Sequence, residues 1–293
     1  MTKDGIALPR RVVSRHPFPT GNAAAGLAVL QEDSSELIEG LEADSSDLGE
    51  ALRTALVLAK SHCLLDTTGQ KLPSWESWVS AMQLGSAVFA AATTTEPTVT
   101  CRIADKDRTL QATGVQPYTN AGTWLTAFYL AVVCRERDRI TALCRVPISL
   151  LRESGAQFDE FQYQWIETLQ EYWVGTGDIV PTLTAAVHGT DPEASTLADS
   201  ETVAKLLYPP MELFHRFITR NNEEFNRSLD YALQWHKDYW SEESRAIQSS
   251  GLVALAPLAM VCFARDAGMP IEVESEYLPS ALLDRSWIGE FPT

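Results

Sequence analysis

The stretch at 120–134, NAGTWLTAFYLAVVC, constrains the fold more than any other part of the chain. From residue 124 onward it is nearly all apolar. A helix that is apolar on every side offers no face to water, so it belongs at the centre of a packed structure. The helix begins at Asn120, and Arg135-Glu-Arg-Asp-Arg is its polar exit. Such a helix needs amphipathic neighbours to cover it.

The rest of the chain supplies them. Leu27, Leu30, Leu37 and Leu41 fall near helical spacing behind Asn22, which can act as a cap. Ser46 can cap a second helix, with Leu48, Leu52, Ala55, Leu56, Ala59 and Cys63 on one face. A third begins at Ser74 after Pro73 and carries the stripe Trp75, Trp78, Val79, Met82 and Phe89. Further helices are predicted over 139–153 (one or two, interrupted by Pro147), 158–174, 178–188, 222–240, 251–266 and near 279–285. Another, over 201–219, breaks or kinks at Pro209-Pro210.

Two segments depart from the helical period. Alternating, β-branched residues on either side of Ala104-Asp-Lys-Asp predict a short hairpin, with an irregular loop as the other reading, and Ile271-Glu-Val-Glu reads as a strand. Consecutive helices joined by short turns predict an all-α, solenoid-like fold of stacked antiparallel helix pairs, with one small β-hairpin near 98–112. Pro9, Pro17 and Pro19 keep 1–19 extended, and 20–293 reads as a single helical domain.

The chain has 23 Lys and Arg against 39 Asp and Glu, a formal net charge of -16. Such a surface repels nucleic-acid phosphates, so no nucleic-acid partner is expected. It attracts a basic protein, and it also serves plain solubility. The charge is concentrated: 17–52 contains no Lys, Arg or His but eight carboxylates, at the end of the first helix, the turn and the start of the second. Seven of these, Glu32, Asp33, Glu36, Glu39, Glu42, Asp44 and Asp47, form a candidate docking surface for a basic partner; the eighth is Glu50. A solvated face is the alternative. Glu272, Glu274 and Glu276 make a second, smaller cluster.

Catalytic signatures are absent: there is no GxSxG, P-loop, HExxH or dinucleotide fingerprint. The five cysteines form no CxxC and sit mostly among apolar residues, as expected of core hydrophobes in a reduced compartment. His16, His62 and His188 have no metal-ligand spacing, and Glu212-Leu-Phe-His215 lacks the second ExxH of a di-iron bundle, so no metal or cofactor is expected. His236, between Leu233 and Trp240, is either a core histidine or a base. Trp235, Tyr239 and Tyr163 lie off the main apolar stripes, where they either line a groove or pack on a further layer. If Glu212, His215, Trp235 and His236 converge, they form an alternative pocket, that of a helical enzyme or small-molecule binder, for example in secondary metabolism. The beginning of the chain lacks a secretory pattern, and the apolar stretch at 251–264 is short for a bilayer and contains Pro257. A cytoplasmic protein with no membrane partner is expected, its oligomeric state left open.

In order along the chain, HPFPTGNAAAGLAVL, SWESWVSAMQLGSAVFAAA, YTNAGTWLTAFYLAVVCR, KLLYPPMELFHRFI, LVALAPLAMVCFARDAGMPIEVESEYLP and RSWIGEFPT together resemble the immunity family 49 proteins of actinobacterial polymorphic toxin systems. The resemblance runs from about His16 to Thr293 and rests on hydrophobic and aromatic blocks. It implies an all-α, cytoplasmic, non-enzymatic immunity protein that binds and neutralises a cognate toxin by protein–protein interaction. It carries over no catalytic residues and no toxin-contact motif, so the acidic surface is a reading from charge alone. An adaptor for a host protein remains as a further alternative.

Overall fold

A computed structural model describes residues 11–287; residues 1–10 of the expected extended segment and 288–293 of the final RSWIGEFPT block lie outside the described residues. A short strand, β1 (Arg11–Val13), leads to α1 (Ala23–Gly40), a 3-10 turn (Ser45–Asp47), α2 (Leu48–Leu65) and α3 (Leu72–Thr93). The hairpin follows as β2 (Thr98–Ile103) and β3 (Lys106–Gln111). Then come α4 (Ala121–Val133), α5 (Arg137–Leu143), α6 (Ile148–Glu153), α7 (Glu160–Val174) and α8 (Ile179–His188). A single turn, α9 (Ser200–Thr202), runs through a π-turn (Val203–Leu207) into α10 (Tyr208–Ile218), followed by α11 (Asn222–Trp240). A second 3-10 turn (Ser249–Leu252), α12 (Leu255–Asp266), β4 (Val273–Ser275) and α13 (Ser280–Leu283) complete the described chain. The fold is all-α with a small hairpin, as the periodicity predicts.

Helix α4 is enclosed over its second half, while Gly122, Thr123 and Thr126 toward its start are half-buried. Residues 127–133 are all buried, and Asn120 caps the helix by accepting the Thr123 N–H at 3.0 Å. Helices α3, α7 and α12 pack around it, and α12 also packs on α10. Helix α2 lies between α1 and α3, while α7/α8 and α10/α11 form further neighbouring pairs. Short connections make such neighbours antiparallel. Aromatic rings fill the middle: Trp124 stacks on Phe128 at 5.1 Å, and Phe263 of α12 meets Phe128, Tyr172, Trp173 and Phe217. The buried indoles of Trp124 and Trp165 donate to the Leu143 carbonyl and the Tyr129 hydroxyl. Ser249–Asp266 is long and apolar enough to cross a bilayer by composition, with a mean hydropathy of 1.3, and 67% of it is buried inside the fold.

Local chemistry sets several ends differently from the sequence expectation. Asn22 stands at the α1 N-cap without a side-chain bond. Asp44, rather than Ser46, does the capping before α2, by accepting the Ser46 N–H. At 201–219 the helix does not stop. Pro209 and Pro210 have no N–H for the carbonyls of residues 205 and 206, and the chain widens into the π-turn, where the Tyr208 N–H reaches the Val203 carbonyl.

The hairpin forms at the expected place, with Ile103 opposite Lys106 and a two-residue turn at Ala104 and Asp105, both at positive φ. An L-alanine rarely adopts that conformation. Here the buried Gln83 of α3 accepts the Ala104 N–H at 2.9 Å and holds the turn. The strand predicted at 271–274 begins at Val273 and pairs in parallel with β1, Val13 opposite Ser275.

Where α3 crosses α4, Gly85 lets the backbones approach: a Cβ there would lie 3.0 Å from the Ala127 Cβ and 3.1 Å from its Cα. Gly85→Ala is expected to lose roughly 1–3 kcal/mol of stability through overpacking. Gly26→Ala on α1, where a new Cβ meets nothing within 4 Å, is expected to gain up to about 1 kcal/mol by helix propensity. Urea unfolding of the two variants checks the contrast; equal midpoints would mean that the crossing is looser than described.

Candidate partner-binding surfaces

Helix α1 turns Ser34, Ile38 and Leu41 inward, which leaves its carboxylates outside. They do not behave alike. Glu39 accepts from Lys106 at 2.8 Å and from Arg108 at 2.9 Å, and the Arg108 side chain is only 2% exposed. Glu42 accepts the Thr109 N–H and Ser45 Oγ the Gln111 N–H, both at 2.9 Å. Asp44 is held by Ser46 and Glu50 pairs with Arg53. Of the seven predicted carboxylates, Glu39 and Glu42 fasten the hairpin to α1, because β3 brings Lys106, Arg108 and a free strand edge beside them. Glu32, Asp33, Glu36 and Asp47 are exposed and make no hydrogen bond or ion pair among the described residues. Glu32 and Glu36, four apart, share one helix face.

The residues of the alternative pocket are held apart. Glu212 accepts from Tyr208, Arg216 and Ser228, tying α10 to α11. His215 is half-buried on the same helix. His236 is buried, with Nε2 3.0 Å from the Gly251 carbonyl and its ring edge-on to Tyr277 at 4.7 Å. Its neighbour Trp235 faces outward instead, and with Tyr208 lines a groove of about 480 Å³. No common site joins the four. Among the off-stripe aromatics, Tyr163 is buried, with Arg152 over its ring, and Tyr239 carries Arg245 at 3.8 Å.

The sequence reading missed a buried polar knot that welds the N-terminal segment to the C-terminal one. His16 Nδ1 and the His16 N–H both lie 2.8 Å from the Tyr277 hydroxyl. Arg15 donates to the carbonyls of Cys63 and Glu276, and Lys60 to that of Ser250. Burial drives these groups toward neutrality: it lowers Lys60 to about 8 and His236 to about 3, and raises Tyr277 to about 12. Residues 15, 16, 60, 236 and 277 have no shared spacing, so no local pattern points to them. The five cysteines are buried and free, and burial raises the thiols of Cys63 and Cys144 to about 12. Among the described residues no cluster of three or more His, Cys, Asp or Glu side chains is placed to hold a metal ion.

Comparison with known proteins places this arrangement. The model of a family described as Immunity protein 49 matches residues 65–282. No curated protein and no solved structure matches the chain.

Two pH effects follow from these contacts. Arg108, then Lys106, holds the Glu39 carboxyl down to about 2 from an ordinary 4.5. A depressed acid contributes stability fully above its unfolded value, so the hairpin tie is expected intact above pH 4.5 and lost as pH falls toward 2. In Glu39→Gln, hydrogen exchange at the Thr109 and Gln111 amides should quicken at neutral pH; unchanged exchange would show that the tie does not hold the strand. For His236, burial favours the neutral ring, so the unfolded chain takes up a proton first as pH falls below 6.5. Overall stability should decline between pH 6.5 and 3, and His236→Gln should flatten that decline in denaturant titrations at stepped pH.

Proposed function

The chain belongs to the Immunity protein 49 family, and on that premise we propose that it binds a cognate polymorphic toxin in the cytoplasm of the producing cell and holds it inactive, with no chemistry of its own. The family match carries this reading. The charge distribution supports a basic toxin: the net charge is -16, and Glu32, Asp33 and Glu36 stand on α1 without a cation of their own. Carboxylates in that state act through their field and accept hydrogen bonds from Lys or Arg, which chiefly sets encounter rate and orientation.

The test uses the toxin encoded by the neighbouring gene, purified as an inactive variant, with binding kinetics measured at low and high salt. Wild-type association should slow steeply as salt rises. Glu32→Lys, Asp33→Lys and Glu36→Lys combined should slow association roughly tenfold or more while dissociation changes less than about twofold. If the wild-type protein neither binds that toxin nor rescues cells expressing its active form, the proposal fails. If it binds but the triple reversal associates at the wild-type rate, docking lies elsewhere on the molecule.

A further inference from the structure

The groove beside Trp235 combines features that no structural need of the helices explains. Its floor is the π-turn, with Val203 and Ala204, and its walls are Tyr208, Trp235, Pro192 and Ala198. Trp235 is 38% exposed and stacks at 6.0 Å on Tyr231, itself 49% exposed, so two large rings stand in water on the outer face of α11. Paired exposed aromatics beside a concave apolar surface are the usual anchors of a protein interface.

The wall formed by the loop at 190–198 is built in advance. Asp159, itself buried, accepts the N–H groups of Thr196, Leu197 and Ala198 and the Ser195 hydroxyl. A loop fixed in this way loses little conformational freedom on binding. The charge around the groove is acidic in balance. Asp191, Glu193 and Asp199 are exposed and adjoin lining residues in sequence, while Lys205, the one charged lining residue, is engaged by Glu201 and Asp238, and Arg245 by Glu201.

We propose that this groove is a contact site for the toxin, receiving an aliphatic or aromatic side chain from a segment that also carries Lys or Arg, with Trp235 as its anchor. The inference rests on the immunity reading above and adds to it the chemistry of the segment recognised. Charge selects the occupant. A second copy of this chain would set one acidic rim against another, and nucleic acid would meet the same repulsion. A basic segment with an apolar tip satisfies both the floor and the rim.

The experiment again uses the toxin encoded by the neighbouring gene, as an inactive variant. Two variants probe the groove: Trp235→Ala removes the anchor, and Ala204→Trp fills the floor from an exposed position. Circular dichroism and thermal melting should show both folded, since neither position is in the core. Dissociation from the toxin should quicken roughly tenfold or more in each, with association changed less than about twofold, and Trp235→Phe should recover part of the loss. This is the opposite kinetic signature from the α1 reversal. Wild-type binding with both variants dissociating at the wild-type rate would overturn the groove and leave the immunity reading standing. Absence of wild-type binding would overturn both. Self-association of the wild-type chain, abolished by Trp235→Ala, would assign the groove to a second copy and reject the toxin contact.

Discussion

The enclosure of α4 governs the architecture. An apolar helix can exist in water only if protein covers it, and over residues 127–133 of α4 its neighbours α3, α5, α7 and α12 do so. Of these neighbours, α12 comes from far along the sequence, so the covering closes the chain on itself. The aromatic residues follow the same constraint. Phe263 of α12 touches rings from α4, α7 and α10, and the indoles of Trp124 and Trp165 find a carbonyl and a hydroxyl acceptor in the interior. With its apolar face consumed in this way, α12 serves as the central strut of the bundle despite a composition that would suit a lipid environment.

Closure also explains why polar groups are buried at the seam between the chain termini. The parallel pairing of β1 with β4 brings Arg15 and His16 against Tyr277 and Glu276, and each finds a hydrogen-bonding partner before water is excluded. Lys60 and His236 answer to backbone carbonyls of the turn at 249–252. In this network burial favours the neutral forms of His236 and Tyr277. The same logic acts at the surface on a smaller scale, where Glu39 lets Arg108 be buried beneath the hairpin.

A division of labour emerges on the outside. Part of the acidic run works inside the molecule, fastening β3 to α1, and part stands free. The groove at the π-turn lies on another region of the fold, where Pro209 and Pro210 force the helix to widen. On the reading proposed above, the free carboxylates supply a long-range field and the groove a short-range apolar contact. A field and an apolar contact together are the ingredients of a fast and durable protein complex.

The sequence alone determined the helical elements, the centrality of α4 and the position of the hairpin. Each rests on side chains a few residues apart, whose periodicity directly reports which face is buried: Trp124 and Phe128 along α4, or the alternation of Cys101 and Ile103 in β2. It also made the excess of negative charge plain. What it left open was pairing over distance. Glu39 and Glu42 look the same as Glu32 and Glu36 along the chain, and only the approach of β3 separates them. Likewise, Glu212 and His215 lie on α10 and Trp235 and His236 on the next helix, α11, yet packing buries His236 against Tyr277 and leaves Trp235 in water. Local sequence sets the face a residue occupies, but the identity of what meets that face is decided when distant segments fold together.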